Sequence, residues 1–192
     1  MKRKREILKG SLLLPSVPEK PAVILIIAGS GPTDRNGNNP MMTNNSLKML
    51  AEGLQKNGIA SVRYDKRGIG ESKNSGLQES DLRFEQYVKD VENWIDLLKE
   101  NDRFSEIIVL GHSEGSLIGM IASQKNEVEK FISVAGVGIP AGDTIREQLK
   151  ATTPGCFKSI FCRLSKNLKM EKQWKMCRKC FILFFARVFN HI

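Results

Sequence analysis

Cysteine is absent from the first 154 residues of this 192-residue chain; all four, Cys156, Cys162, Cys177 and Cys180, fall after them. The body therefore has no disulfide framework, and it says nothing of a redox compartment. Histidine is nearly absent too, with only His112 and His191 in the whole chain. Any imidazole ligand or base must be one of those two. Long apolar runs are also missing from the first 150 residues. The stretch from Ser11 to Val17 is interrupted by Pro15 and followed by Pro18, so it suits neither an export signal nor a membrane span. The chain as given reads as cytoplasmic, with no transmembrane segment.

Acidic residues are scarce in one region only. Residues 1–154 hold 21 Lys and Arg against 20 Asp and Glu, whereas residues 155–192 hold 9 against 1. The net charge of +9 is thus almost wholly a property of the tail, which also carries six of the nine Phe. So sharp a break divides the chain into a nearly neutral body, 1–154, and a basic Cys- and Phe-rich tail, 155–192, foreign to the body's pattern. A nucleic-acid or membrane-surface role would have to reside in that tail. Cys177 and Cys180 have C-x-x-C spacing, but Cys156 and Cys162 do not repeat it, so no metal site is expected.

What is present in the body is an alternation of buried strands and amphipathic helices. AVILIIAG from Ala22 is a continuous, β-branched run, as a strand covered on both faces requires. Ser46 to Gln55 places Leu47, Leu50 and Leu54 on one helical face, and Ala60 to Tyr64 is a second strand. Asp81 to Asn101 repeats Phe84, Val88, Val91, Trp94, Ile95 and Leu98 at three- and four-residue steps. Ile107 to Leu110 is a third strand, Gly115 to Lys125 a helix, and Phe131 to Val134 a fourth strand. This order predicts an α/β architecture with a parallel, doubly wound sheet.

Three loops carry chemistry. Gly111-His112-Ser113-Glu114-Gly115 is a G-x-S-x-G between a buried strand and an apolar helix. In that setting it predicts a nucleophile elbow, a tight turn that only glycines can flank and that lifts Ser113 to a helix N-terminus. The plainer alternative is an ordinary strand-to-helix turn. Ala28-Gly29-Ser30-Gly31-Pro32 follows the first parallel strand, where a backbone amide can serve an oxyanion hole. The predicted donors are the amides of Ser30 and Glu114. A phosphate cradle is the alternative there, but the Walker Lys-Ser/Thr is missing. Arg63 to Ser72 is basic and glycine-bearing, so it could hold phosphate; the favoured reading is structural, with Asp65 and Arg67 tying the turn together.

GSGPTDRNGN, RYDKRGIGES, DLRFEQYVKDVENWI and GHSEGSLIGM, in their order and spacing, resemble a bacterial α/β-hydrolase of the esterase and serine-aminopeptidase-like group, over about residues 6–150. The resemblance implies an α/β-hydrolase sheet of which this chain holds the first half, incomplete at the C-terminal side. It implies hydrolysis of a small-molecule carboxylic ester through an acyl-enzyme on Ser113, with no metal and no organic cofactor. Peptidase and thioesterase chemistry fit the same fold.

In such enzymes an acid and then a histidine follow the serine in the chain. His112 adjoins Ser113 and is expected to pack or cap beneath the turn. His191 is the remaining candidate base, in a tail with no recognisable strand or acid loop before it. One permissible codon choice from Lys169 onward, read in another frame, yields a peptide resembling this group of hydrolases. The tail therefore reads as a frameshift product, and the chain as an esterase in effect truncated. The competing function is non-enzymatic binding of a membrane surface or nucleic acid through the basic tail.

Overall fold

The computed structural model describes residues 7–16, 20–75, 81–139 and 143. Its strands are β1 (Gly10–Leu13), β2 (Val23–Ile27), β3 (Ala60–Tyr64), β4 (Ile107–His112) and β5 (Lys130–Val134). Its helices are α1 (Ser46–Lys56), α2 (Phe84–Lys99) and α3 (Glu114–Lys125). The sheet order is β1-β3-β2-β4-β5, in which β3, β2, β4 and β5 are parallel and β1 is antiparallel to β3.

The alternation of side chains along β2 explains the layers. Val23, Leu25 and Ile27 point into a cluster with Val88, Val91 and Ile95 of α2 and Ile118 and Ala122 of α3. Ile24 and Ile26 point the other way, into a cluster with Leu47 and Ala51 of α1 and Ile108 and Leu110 of β4. All five residues of β2 are buried, because helices cover both faces of this central strand. The doubly wound α/β sheet read from the sequence is therefore the observed fold.

Boundaries moved in ways the backbone explains. The helix expected from Asp81 begins at Phe84, where Arg83 in an extended conformation and Gln86 form a reciprocal cap. β4 runs two residues beyond Leu110, to His112, since Gly111 and His112 continue the register with Ser133 and Val134 of β5. β1 is an element that the periodicity missed. Its four residues alternate between exposed and half-buried, and Gly10 has no side chain to signal a face. That glycine is needed, because a Cβ there would stand 2.8 Å from the Trp94 ring.

Among the described residues, no helix is long and apolar enough to cross a membrane. The tail from residue 155, with Cys177, Cys180 and His191, lies outside the described residues, as does the division of the chain at residue 154.

Candidate active site

Parallel strands deliver their following loops to one edge of the sheet, the edge where α/β proteins bind ligands. Here the loops after β2, β3 and β4 meet there. β4 ends at His112 and α3 begins at Glu114, leaving Ser113 alone at the junction with φ 53° and ψ −119°. A non-glycine residue held there stores on the order of 1–3 kcal/mol of strain and persists only where its neighbours dictate the conformation.

The neighbours are identifiable. The Ser113 amide donates to the Val134 carbonyl at 2.9 Å, and the Ser113 carbonyl accepts from the Ser116 amide at 3.0 Å. The Ser116 hydroxyl donates to the Gly111 carbonyl at 2.5 Å. A Cβ on Gly111 would run into the Gly115 carbonyl, and one on Gly115 would lie 2.5 Å from the Ile27 carbonyl oxygen. The two glycines are therefore where backbone passes backbone, as the pentapeptide spacing implied.

The loop after β2 comes up against this turn. A Cβ on Gly29 would sit 3.1 Å from His112 Nδ1 and 3.2 Å from Ser113 Cβ, so the glycine permits the close approach. Gly29, Ser30, His112 and Ser113 line one pocket of about 170 Å³ together with Thr33, Asn39, Met42, Asn44 and the start of α1. Among the described residues, the amides of Ser30 and Glu114 donate no hydrogen bond. Both are available to an acceptor, and Glu114 is the first residue of α3, where the helix dipole favours negative charge.

His112 differs from expectation. Instead of packing wholly beneath the turn, its half-buried ring lines the pocket. The period of two along β4 accounts for this. Ile108 and Leu110 face the α1 side, so His112 does too, where the loop after β2 runs over the sheet edge. Burial lowers the His112 pKa from its ordinary value. Burial thus favours the uncharged ring.

The loop after β3 is structural, as favoured, with Asp65 among its ties as expected. Buried Asp65 accepts from the amides of Arg35 at 2.8 Å and Glu71 at 2.9 Å, and its carboxylate fills the space a Cβ on Gly70 would need. Arg67 reaches α2 and makes a two-pronged pair with Asp90, at 2.7 and 2.6 Å. Lys66, whose role the sequence did not suggest, is buried with its ammonium on the carbonyls of Gly29 and Gly31. A lysine two residues after a fully buried strand was the available signal. With both cations committed internally, the loop is a poor phosphate cradle. No group of His, Cys, Asp and Glu among the described residues is placed to hold a metal ion.

The sequence profile described as serine aminopeptidase, S33, matches residues 42–175. The chain belongs to this family of hydrolases. The match begins in the loop after β2, takes in Ser113, and continues past residue 154 into the basic tail. The chain is 26% identical over 144 residues to Esterase EstD of Thermotoga maritima, covering 74% of this chain and 34% of that protein. Among solved structures, the fold is similar to Est1E of Butyrivibrio proteoclasticus with ferulic acid bound, at 23% identity and a TM-score of 0.55. That likeness covers 77% of this chain and 54% of the other. It is also similar to the α/β hydrolase GrgF of Penicillium sp. sh18, at 22% identity and a TM-score of 0.58, over 83% and 51% of the two chains. This S33-family chain thus spans about a third of the esterase's length and about half of each structural relative.

Proposed function

We propose that this S33-family chain is a serine hydrolase acting on small-molecule carboxylic esters through an acyl-enzyme on Ser113. The observation that carries the proposal is the backbone of Ser113, held at φ 53° and ψ −119° where a buried strand meets a helix, on the wall of a pocket it shares with Ser30. No structural requirement of an ordinary turn calls for serine in that conformation. Similarity to an esterase supports ester over peptide or thioester as the substrate.

In the proposed chemistry Ser113 Oγ attacks the ester carbonyl carbon, and the developing oxyanion accepts from the amides of Ser30 and Glu114. The alcohol then leaves, and water hydrolyses the acyl-serine. A serine hydroxyl needs a base to take its proton. Among the described residues, no hydrogen bond joins the His112 ring to the Ser113 hydroxyl, and His112 directly precedes Ser113 at the end of β4. His191 is the other histidine and lies outside the described residues. Loss of the base from a serine triad leaves on the order of 10³–10⁴-fold catalysis over water.

The test is turnover of p-nitrophenyl acetate by the chain and by its Ser113→Ala and His191→Ala variants. Weak turnover lost on Ser113→Ala and unchanged on His191→Ala is the expected result. Turnover indifferent to Ser113→Ala would remove the nucleophile and the reading with it. Strong turnover abolished by His191→Ala would instead make the tail the source of the base.

A further inference from the structure

Lys66 is 4% exposed, and the acyl-transfer chemistry above makes no use of it. Burying an ammonium costs several kcal/mol unless dipoles or charges replace its water. Here the replacements are two backbone carbonyls, those of Gly29 and of Gly31, the latter at 3.2 Å. These residues flank Ser30, and the choice of acceptors has a geometric consequence. The Gly29 carbonyl and the Ser30 N–H belong to one planar peptide unit, and in a trans peptide they point in opposite directions. All described peptide bonds are trans. Drawing the Gly29 oxygen toward Lys66 therefore turns the Ser30 N–H the other way. The second acceptor adds no such donor, because Gly31 precedes Pro32, which has no N–H. The Gly31 contact anchors the loop, and the Gly29 contact sets the orientation of the amide.

We propose that Lys66 is a positioning residue for the oxyanion hole, aiming and polarising the Ser30 amide through the Gly29–Ser30 peptide plane. This rests on the reading of Ser113 as nucleophile only for its effect on rate, not for its effect on the amide. Two influences act together. A cationic donor bonds a carbonyl roughly twice as strongly as a neutral one, which stiffens the plane. The same bond withdraws electron density from the peptide, making its N–H a better donor, in the manner of hydrogen-bond chains. Burial lowers the Lys66 pKa and the nearby Glu114 carboxylate partly offsets that shift, in keeping with a cation held by the fold rather than by water.

The test compares the wild-type chain with Lys66→Met, which keeps length but removes charge and donors, and Lys66→Gln, which keeps a neutral donor. Glu71→Gln serves as the structural control, since it weakens the same loop's exposed tie to Arg35 but supplies no carbonyl to the Lys66 ammonium. The first readout is the ¹⁵N and ¹H shift of the Ser30 amide in the labelled protein. Lys66→Met should move the proton upfield, Lys66→Gln by less, and Glu71→Gln not measurably. The second readout is acylation of Ser113 by p-nitrophenyl acetate. Lys66→Met should lower the rate constant by about 10- to 100-fold with KM changed less than about twofold, short of the 10²–10³ lost when an oxyanion donor is removed outright. A Ser30 amide unmoved in both Lys66 variants overturns the proposal. If the amide moves but Ser113→Ala reacts as fast as wild type, Lys66 still aims the amide and it is the acyl-enzyme reading that fails.

Discussion

Gly115 lies so close under Ile27 that a single added carbon would come within 2.5 Å of the Ile27 carbonyl oxygen and 2.6 Å of that of Ala28. The end of β2 and the start of α3 thus touch through their backbones, and neither can retreat without displacing the central strand. Overpacking of a core typically costs 1–3 kcal/mol, and a clash against main chain belongs at the upper end. Gly115→Ala should therefore lose about 3 kcal/mol in urea unfolding. An unchanged midpoint would mean that the turn and strand are not in contact.

Ser113 should trade stability for chemistry. Its φ of 53° with ψ of −119° suits glycine better than any residue with a Cβ. Releasing on the order of 1–3 kcal/mol of strain, less the extra chain entropy glycine brings to the unfolded state, leaves Ser113→Gly more stable by about 1 kcal/mol. Ser113→Ala keeps the strain and should unfold near the wild-type midpoint. Both should be unable to form an acyl-enzyme, as read by intact-protein mass after p-nitrophenyl acetate.

The pair between Arg67 and Asp90 offers a sharper energetic test. Their side chains are 11% and 2% exposed, so removing either partner takes this two-pronged pair away from a buried charge. Such single losses cost about 3–5 kcal/mol, whereas replacing both partners with apolar residues of similar size is close to neutral. Arg67→Met and Asp90→Leu should each be strongly destabilising, and the double variant should regain most of the loss. A strictly additive double variant would show that the two groups are not coupled.

The half-buried ring of His112 predicts a pH dependence. Its folded pKa is lowered from 6.5, so below that value the unfolded chain binds a proton that the folded chain resists. The stability it contributes is complete above pH 6.5 and declines as pH falls through that value, levelling off below the lowered folded pKa. Replacing the ring in His112→Gln should flatten this part of the stability curve. A slope that persists in the variant would assign it to other groups.

A gene-level test addresses the tail. If residues beyond about 151 are read out of frame, DNA sequencing around that codon should reveal an alternative frame encoding a hydrolase-like continuation. Restoring it should raise p-nitrophenyl acetate turnover by several orders of magnitude, the usual cost of a missing triad base. A single open frame matching the printed tail, with no such continuation, would refute the frameshift.

How much of this was legible in the sequence depended on what each residue contacts. The strand Ala60–Tyr64 and the helical spacing of Val88, Val91 and Ile95 could be read because burial on one or both faces leaves a periodic apolar trace. The turn at Ser113 was legible through its glycines, which record close backbone approach. β1 escaped because four half-exposed residues on a sheet edge leave no period. Lys66 escaped for a different reason. A lysine in a polar loop has the composition of a solvated surface, and only the fold shows that two carbonyls stand where water would be. The neighbouring Arg67 was singled out correctly as structural, but its partner lay 23 positions away on α2, beyond the reach of local reasoning.

The bond from the Ser113 amide to the Val134 carbonyl has a consequence for the order of events during synthesis. Among the described residues, every strand that shapes the turn, and every residue lining its pocket, is encoded before residue 135. A growing chain emerging from the ribosome can therefore assemble the serine and its surroundings as one early folding unit.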